Sequence, residues 1–275
     1  MKALTATALA ILLLLSSAGA AQQACTLRVE EENLAFGNGE SLKYAASYLW
    51  GLIFTDVGEV DMNVDKIKEY PSEWQVTINA RTHKFYDKFF KVRDYYEAVF
   101  SAPEIRSLYF RRDIREGNYA MKNTYRFDNE NNTIDATIQK NEDSAKRMEL
   151  VHEGCTFDVL TYFYYLRNLD YDNVYPGKIF KLSIALDEEI YSIRCRFIER
   201  ERKKTKSLPK KVNCLKFAVE VIAGSVFTGN ENITMWVSDD RNHIPLELES
   251  PVLVGRVKAR ITGFENLKYP LNYVK

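Results

Sequence analysis

Side chains able to do acid–base, nucleophilic or metal chemistry occur throughout this chain, yet almost none stand at spacings that would let them act together. The three histidines, His83, His152 and His243, are too far apart in sequence to share a local metal-ligand motif. Asp and Glu together number 38, enough to supply a glycosidase-like carboxylate pair, but no two are singled out by spacing. Ser207-Leu208-Pro209-Lys210 has the S-x-x-K form. That arrangement needs a helical turn to aim Lys at Ser, and Pro209 among charged neighbours reads as loop. G-x-S-x-G, H-E-x-x-H, C-x-x-C and Gly-rich phosphate loops do not occur. No catalytic residue, metal ligand or cofactor is assigned, and the reading favours a protein that is not an enzyme.

Apolar contact is the chemistry the composition favours. Aromatic residues make up 13% of the chain, with 17 Tyr and 15 Phe. Trp50, Trp74, Phe89, Tyr164 and Trp236 are the candidate lining of an apolar ligand pocket, with ordinary core packing as the plainer use of the same residues. Lipid or another envelope component is the expected partner. An envelope hydrolase with a carboxylate pair, and a scaffold that binds another envelope protein through a sheet edge, are the alternatives. Lysine and arginine balance aspartate and glutamate at 38 each, and phosphate binding needs a basic surplus, so nucleic acid is excluded as the principal partner. The basic run Arg200–Lys211 reads as a solvated hairpin tip whose charges protect the strand edges, or as a finger for anionic head groups.

Four cysteines permit three pairings. Cys195 and Cys214 flank the turn region near Lys204-Thr205 on two β-like runs. A hairpin centred there sets them opposite each other, close to disulfide span. Cys25 with Cys155 is the remaining pair, and any of the four can instead serve as a small buried hydrophobe.

The elements that must position these residues begin behind a leader. Lys2, the apolar run Ala8–Leu15 and the small residues Ser16–Ala20 form a secretory signal, cleaved after Ala20; the run is too short to span a bilayer. Residues 1–20 are thus read as signal peptide and 21–275 as one β-rich domain, exported to the periplasm of a Gram-negative envelope. Tethering through a lipidated Cys25 is the alternative, although Gln22 stands where an apolar residue would be expected.

Leu42, Tyr44, Ala46, Tyr48 and Trp50 alternate onto one face of a strand that follows the Asn38-Gly39 turn. Strands are also expected over 59–64, 73–80, 108–115, 118–128 and 133–139. After Pro176-Gly177 come further strands at 178–186, 189–201, 212–222, 233–238, 244–249 and 256–262. Phe85, Phe89, Val92 and Tyr96 recur at helical steps, predicting a helix over 84–100. A second helix is expected from an N-cap at Thr156 to about Asn168. The expected fold is mainly β: a single curved antiparallel sheet or half-open barrel with two embedded helices.

The run Trp236-Val237-Ser238-Asp239-Asp240-Arg241-Asn242-His243-Ile244-Pro245 reads first as a structural turn. With Glu249-Ser250 and Val254-Gly255-Arg256-Val257-Lys258-Ala259 it also resembles the "domain of unknown function 3108" family of bacterial envelope proteins. Phe36–Tyr44, Asp158-Val159-Leu160, Tyr164-Tyr165-Leu166-Arg167 and Val226-Phe227 extend the resemblance over about residues 33–270. It implies an exported β-rich single domain and carries over no catalytic residues.

Overall fold

Alternation of apolar and polar residues becomes strand over most of the chain. The computed structural model describes residues 27–50, 53–152, 154–222, 233–251 and 255–274. The first run of elements is β1 (Glu40–Trp50), β2 (Ile53–Lys66), β3 (Glu73–Thr82), β4 (Arg93–Ser101), β5 (Arg106–Glu116), β6 (Tyr119–Asp128), β7 (Thr133–Lys140) and β8 (Lys146–Val151). A short β9 (Thr156–Phe157) and helix α1 (Val159–Arg167) follow. The chain then makes β10 (Ile179–Leu186), β11 (Glu189–Lys203), β12 (Val212–Ile222), β13 (Ile233–Ser238), β14 (Pro245–Pro251) and β15 (Arg256–Glu265).

These fifteen strands form one sheet in the order β8-β7-β6-β5-β4-β3-β2-β1-β15-β14-β13-β12-β11-β10-β9. The chain therefore starts mid-sheet, meanders to one edge, crosses over through β9 and α1, and meanders back until β15 pairs with β1. Neighbours are antiparallel, apart from the parallel pair β9 and β10. The sheet stays open, but it curls, because its two arms touch through side chains. Ser107 on β5 donates to the Asp158 carboxylate (2.6 Å). Arg112 on β5 pairs with Asp187 in the β10–β11 turn, and Lys146 on β8 pairs with Glu188 beside it. Tyr125 on β6 donates to the Asp187 carbonyl (2.8 Å).

The inward face of the curl carries the period-2 apolar set: Leu42 and Tyr44 on β1, Met62 and Val64 on β2, Trp74 and Val76 on β3, Ala98 and Phe100 on β4. Phe36 is the hub of this core. Its ring meets Trp74 edge-on at 5.0 Å, Tyr164 at 4.8 Å and Phe100 at 5.7 Å, contacts worth about 0.5–1.5 kcal/mol each beyond their burial. Helix α1 fills the curl against β4, β9 and β10.

Three expectations need correction. The expected helix over 84–100 is a short 3-10 turn, Tyr86–Lys88, followed by β4. Its three- and four-residue aromatic spacing straddles a turn and a strand: Phe85 and Phe89 belong to the turn, while Ala98 and Phe100 alternate into the core. One α-helix is therefore present among the described residues, where two were expected. Its N-cap is Asp158, whose Oδ1 accepts from the Leu160 and Thr161 amides at 2.8 and 2.9 Å. Thr156 lies outside the helix, paired in β9 with Ser183.

The third correction concerns Cys195 and Cys214. Both are free thiols and buried. The β11–β12 hairpin turns later than expected, with Lys203 opposite Val212, and a bulge follows Phe197. Cys195 faces Val219 and Cys214 faces Glu201. The two sulfurs are therefore separated by about five residues of strand, roughly 16 Å, beyond disulfide reach. Burial pushes each thiol up to about 12, which keeps them inert at neutral pH. Cys155 is disulfide-bonded, and Cys25 lies outside the described residues.

The turn that shifts this register is the basic run. Leu208 and Thr205 are buried beneath it, Lys204 donates to the Leu208 and Pro209 carbonyls, and Ser207 donates to the Ile261 carbonyl (2.6 Å). Arg200 pairs with Asp239 (3.1 Å) and Lys203 with Glu247 (3.0 Å). Arg200, Lys203 and Lys204 are thus committed within the protein.

Candidate functional site

Two places gather the residues that the sequence marked out, and they differ in kind. The first is sealed. Glu40 at the start of β1, Arg167 at the end of α1 and the Asn242-His243 turn before β14 meet inside the molecule. Arg167 donates to both Glu40 carboxylate oxygens (2.6 and 2.9 Å), to the Ala35 carbonyl (3.0 Å) and to the Asn242 carbonyl (2.9 Å). The His243 ring nitrogen Nδ1 lies 2.6 Å from the Arg167 carbonyl. Asp240 closes the turn by accepting from the Asn242 amide (2.9 Å) and from Ser238 (3.0 Å).

Burial works against the Arg167 charge, but Glu40 outweighs it and holds the guanidinium above its ordinary value. The Arg167 and Glu40 side chains are only 1% and 0% exposed. A pair so enclosed can meet no substrate from solvent. It is a structural knot tying α1, β1 and the β13–β14 turn together.

The second place opens to solvent. Beyond the part of the curl that α1 fills, the inward face continues as a cleft of about 630 Å³. Its floor comes from Ala46 and Tyr48 on β1, Val60 on β2, Ala80 on β3 and Val257 on β15. These positions keep the inward parity of Leu42, Tyr44, Val64 and Val76, and small residues at Ala46, Gly58 and Ala80 make the room. Gly58 admits no larger residue, because a Cβ there would stand 2.4 Å from the Arg81 carbonyl oxygen. The segment after β3 roofs the cleft with Tyr86, Phe89 and Phe90. Tyr86 is hydrogen-bonded to Thr55, and Arg81 pairs with Glu59 at the rim (2.6 Å).

One end of the cleft is acidic. Glu116 lines it, and Asp94 lies behind, 8% exposed. Burial raises the Asp94 carboxyl to about 6, and the neighbouring Glu116 adds to the rise, while the Arg115 amide (3.0 Å) opposes it. The folded value lies above the unfolded one, about 3.9. Between about pH 4 and pH 6 the native state therefore holds a proton that the unfolded chain has released, and stability falls as pH rises through that window. Asp94→Asn is expected to remove this loss, about 2–3 kcal/mol when complete. Urea unfolding of both proteins at about pH 4 and about pH 7 measures it. A difference between wild type and variant that does not change with pH would sink this assignment.

The five aromatic candidates do not meet in one pocket. Trp74 and Tyr164 are buried at 3% and 1% exposure around Phe36. Trp236 points to the other face of the sheet, where Lys203 lies 3.3 Å from its ring centroid and its indole donates to Glu201. Trp50 ends β1, and its side chain lies outside the described part of the protein. Of the four whose side chains are described, Phe89 alone lines the cleft, and it is 77% exposed. Reasoning from aromatic size missed Ala46, Val60 and Ala80. The signal for them was an inward parity kept by residues too small to fill the space.

A family model described as a protein of unknown function (DUF3108) matches residues 43–262. Among solved structures, a β-barrel-like protein of domain of unknown function DUF1849 from Brucella abortus superposes with a TM-score of 0.56 at 6% identity. The match covers 84% of this chain and 99% of that one, and at such identity the likeness is one of fold. A candidate exported protein with a YmcC-like fold from Bacteroides fragilis gives a TM-score of 0.34 at 10% identity, over 84% of this chain and 97% of its own. A candidate lipoprotein from Parabacteroides distasonis gives 0.28 at 13%, over 84% and 98%. No curated protein matches the chain.

Proposed function

The chain belongs to the DUF3108 family of proteins of unknown function, and from that premise we propose that it is an exported, non-enzymatic envelope protein that holds a long acyl chain in its cleft. The observation that carries this reading is the cleft itself. Its 630 Å³ falls within the range of small-molecule sites, and its floor is almost wholly aliphatic and aromatic. Its polar groups stand at the rim and one end, where Arg81, Glu59 and Glu116 are placed. An acyl chain suits such a wall, because it asks for area removed from water and for no hydrogen bonds. The leader read at residues 1–20, which lie outside the described residues, would deliver the domain to the lipid-rich envelope.

Titration of the delipidated protein with a fluorescent fatty acid, followed by displacement with an unlabelled one, tests this. Saturable binding at one site is expected. No change in fluorescence with any chain length would end the proposal.

A second reading, an envelope hydrolase, has the Asp94–Glu116 pair to draw on, because Asp94 is held partly protonated near neutral pH. Asp94, however, is 8% exposed and does not itself line the cleft, so only one of the two carboxyls faces the space where a substrate would lie, whereas glycoside hydrolysis needs both. The geometry therefore favours binding over hydrolysis.

A further inference from the structure

The roof of the cleft carries more apolar surface than the cleft uses. Phe85, Phe89 and Phe90 are 64%, 77% and 54% exposed, and the Phe85 and Phe89 rings lie 5.9 Å apart as one patch. Phe54, on β2, is also 43% exposed. A loosely held loop would fold such rings inward. This one is pinned from below. Asp87 is gripped by Arg93 (2.6 and 3.0 Å) and by Thr82 (2.6 Å). The His83 amide donates to the Val57 carbonyl (2.9 Å), and Tyr86 bonds Thr55. The polar groups of the turn thus face the protein and hold the phenylalanines outward.

Charge says what the patch faces. Lys84, Lys88 and Lys91 alternate with the phenylalanines and are all exposed. Asp87 is the sole acid from 83 to 91, and Arg93 already neutralises it. A rigid tip with aromatic rings between uncompensated lysines matches the boundary of an anionic bilayer. There the rings enter the head-group region and the ammonium groups meet phosphates. A protein partner would have to supply both an apolar socket and a ring of acids, whereas an anionic lipid surface presents both everywhere.

We infer that the Lys84–Lys91 turn seats the protein on an anionic lipid surface, with the mouth of the cleft turned toward the bilayer. This goes beyond the cleft reading, since attachment requires no ligand in the cleft.

Co-sedimentation of the mature chain with vesicles of phosphatidylcholine, with and without phosphatidylglycerol, tests it. Binding to the anionic vesicles alone is expected, weakening at high salt. Lys84→Glu with Lys88→Glu should lower the bound fraction about tenfold, because each lysine contributes to attraction by the anionic surface. Phe85→Ser, at a position outside the cleft lining, should lower it several-fold. Equal sedimentation with neutral and anionic vesicles, or unchanged sedimentation of these variants, would overturn the inference. The fluorescent fatty acid, presented in solution, reads the cleft independently. Wild type that binds this probe but no vesicles removes the membrane seat and leaves the cleft reading intact, and the reverse result removes only the cleft reading.

Discussion

Arg167→Met is expected to cost about 3–5 kcal/mol of stability, the largest effect of any single change considered. The reason lies in what it leaves behind. Glu40 would remain wholly buried with no countercharge, and the Ala35 and Asn242 carbonyls would lose the donors that now reach them at 3.0 and 2.9 Å. The three rings near the guanidinium, Tyr164, Phe163 and Phe36, at 5.1, 6.0 and 5.9 Å, would lose a cation–π partner as well. Urea unfolding measures the cost as a shift in midpoint at unchanged slope. Glu40→Met together with Arg167→Met should recover a substantial part of it, because an apolar pair replaces two charges that were expensive to bury. If Arg167→Met unfolds within about 1 kcal/mol of wild type, the buried pair is not the knot described above.

Ala46→Trp is expected to weaken fatty-acid binding at least tenfold while the protein stays folded. Ala46 lies on the cleft floor opposite Gly58 and Ala259, and an indole there would occupy the space where the chain must lie. Added volume at an open cleft is accommodated more readily than in a closed core, where overpacking costs about 1–3 kcal/mol. Ala80→Trp, two strands away on β3, offers an independent block from the same floor. Thermal unfolding of both variants separates a filled cleft from a broken fold. Two folded variants that bind the probe as wild type does would place its site elsewhere. Trp74→Phe, deep in the Phe36 cluster, serves as the comparison whose binding should not change.

The contrast between these two residues shows how far the sequence was legible. Ala46 lies in a clean period-2 run, so its face was readable; that the face opened onto a cleft was not. Arg167 stood within a recognisable family segment, yet its partner Glu40 is 127 positions away, and no local pattern pairs them. The turn at Phe85–Phe90 misled in the opposite sense. Its spacing matched a helix because aromatic density satisfies several periods at once, and the choice was made by the inward demand of Ala98 and Phe100 on β4.

What the sequence determined alone is the set of directions. Alternation specifies which side chains of β1, β2, β3 and β15 point inward, since a strand reverses its side chains at every residue whatever it packs against. That was enough to predict a mainly β protein with a curling antiparallel sheet. What the tertiary structure decided is register and meeting. The late turn at Lys204–Lys211 and the bulge after Phe197 moved Cys195 and Cys214 apart, a slip that no single strand encodes, because register is a property of two strands and the loop between them. Curling likewise brought Glu40 to Arg167 and left Ala46, Val60 and Ala80 around a cleft, since closeness between distant residues exists only once the whole sheet has curled around its helix.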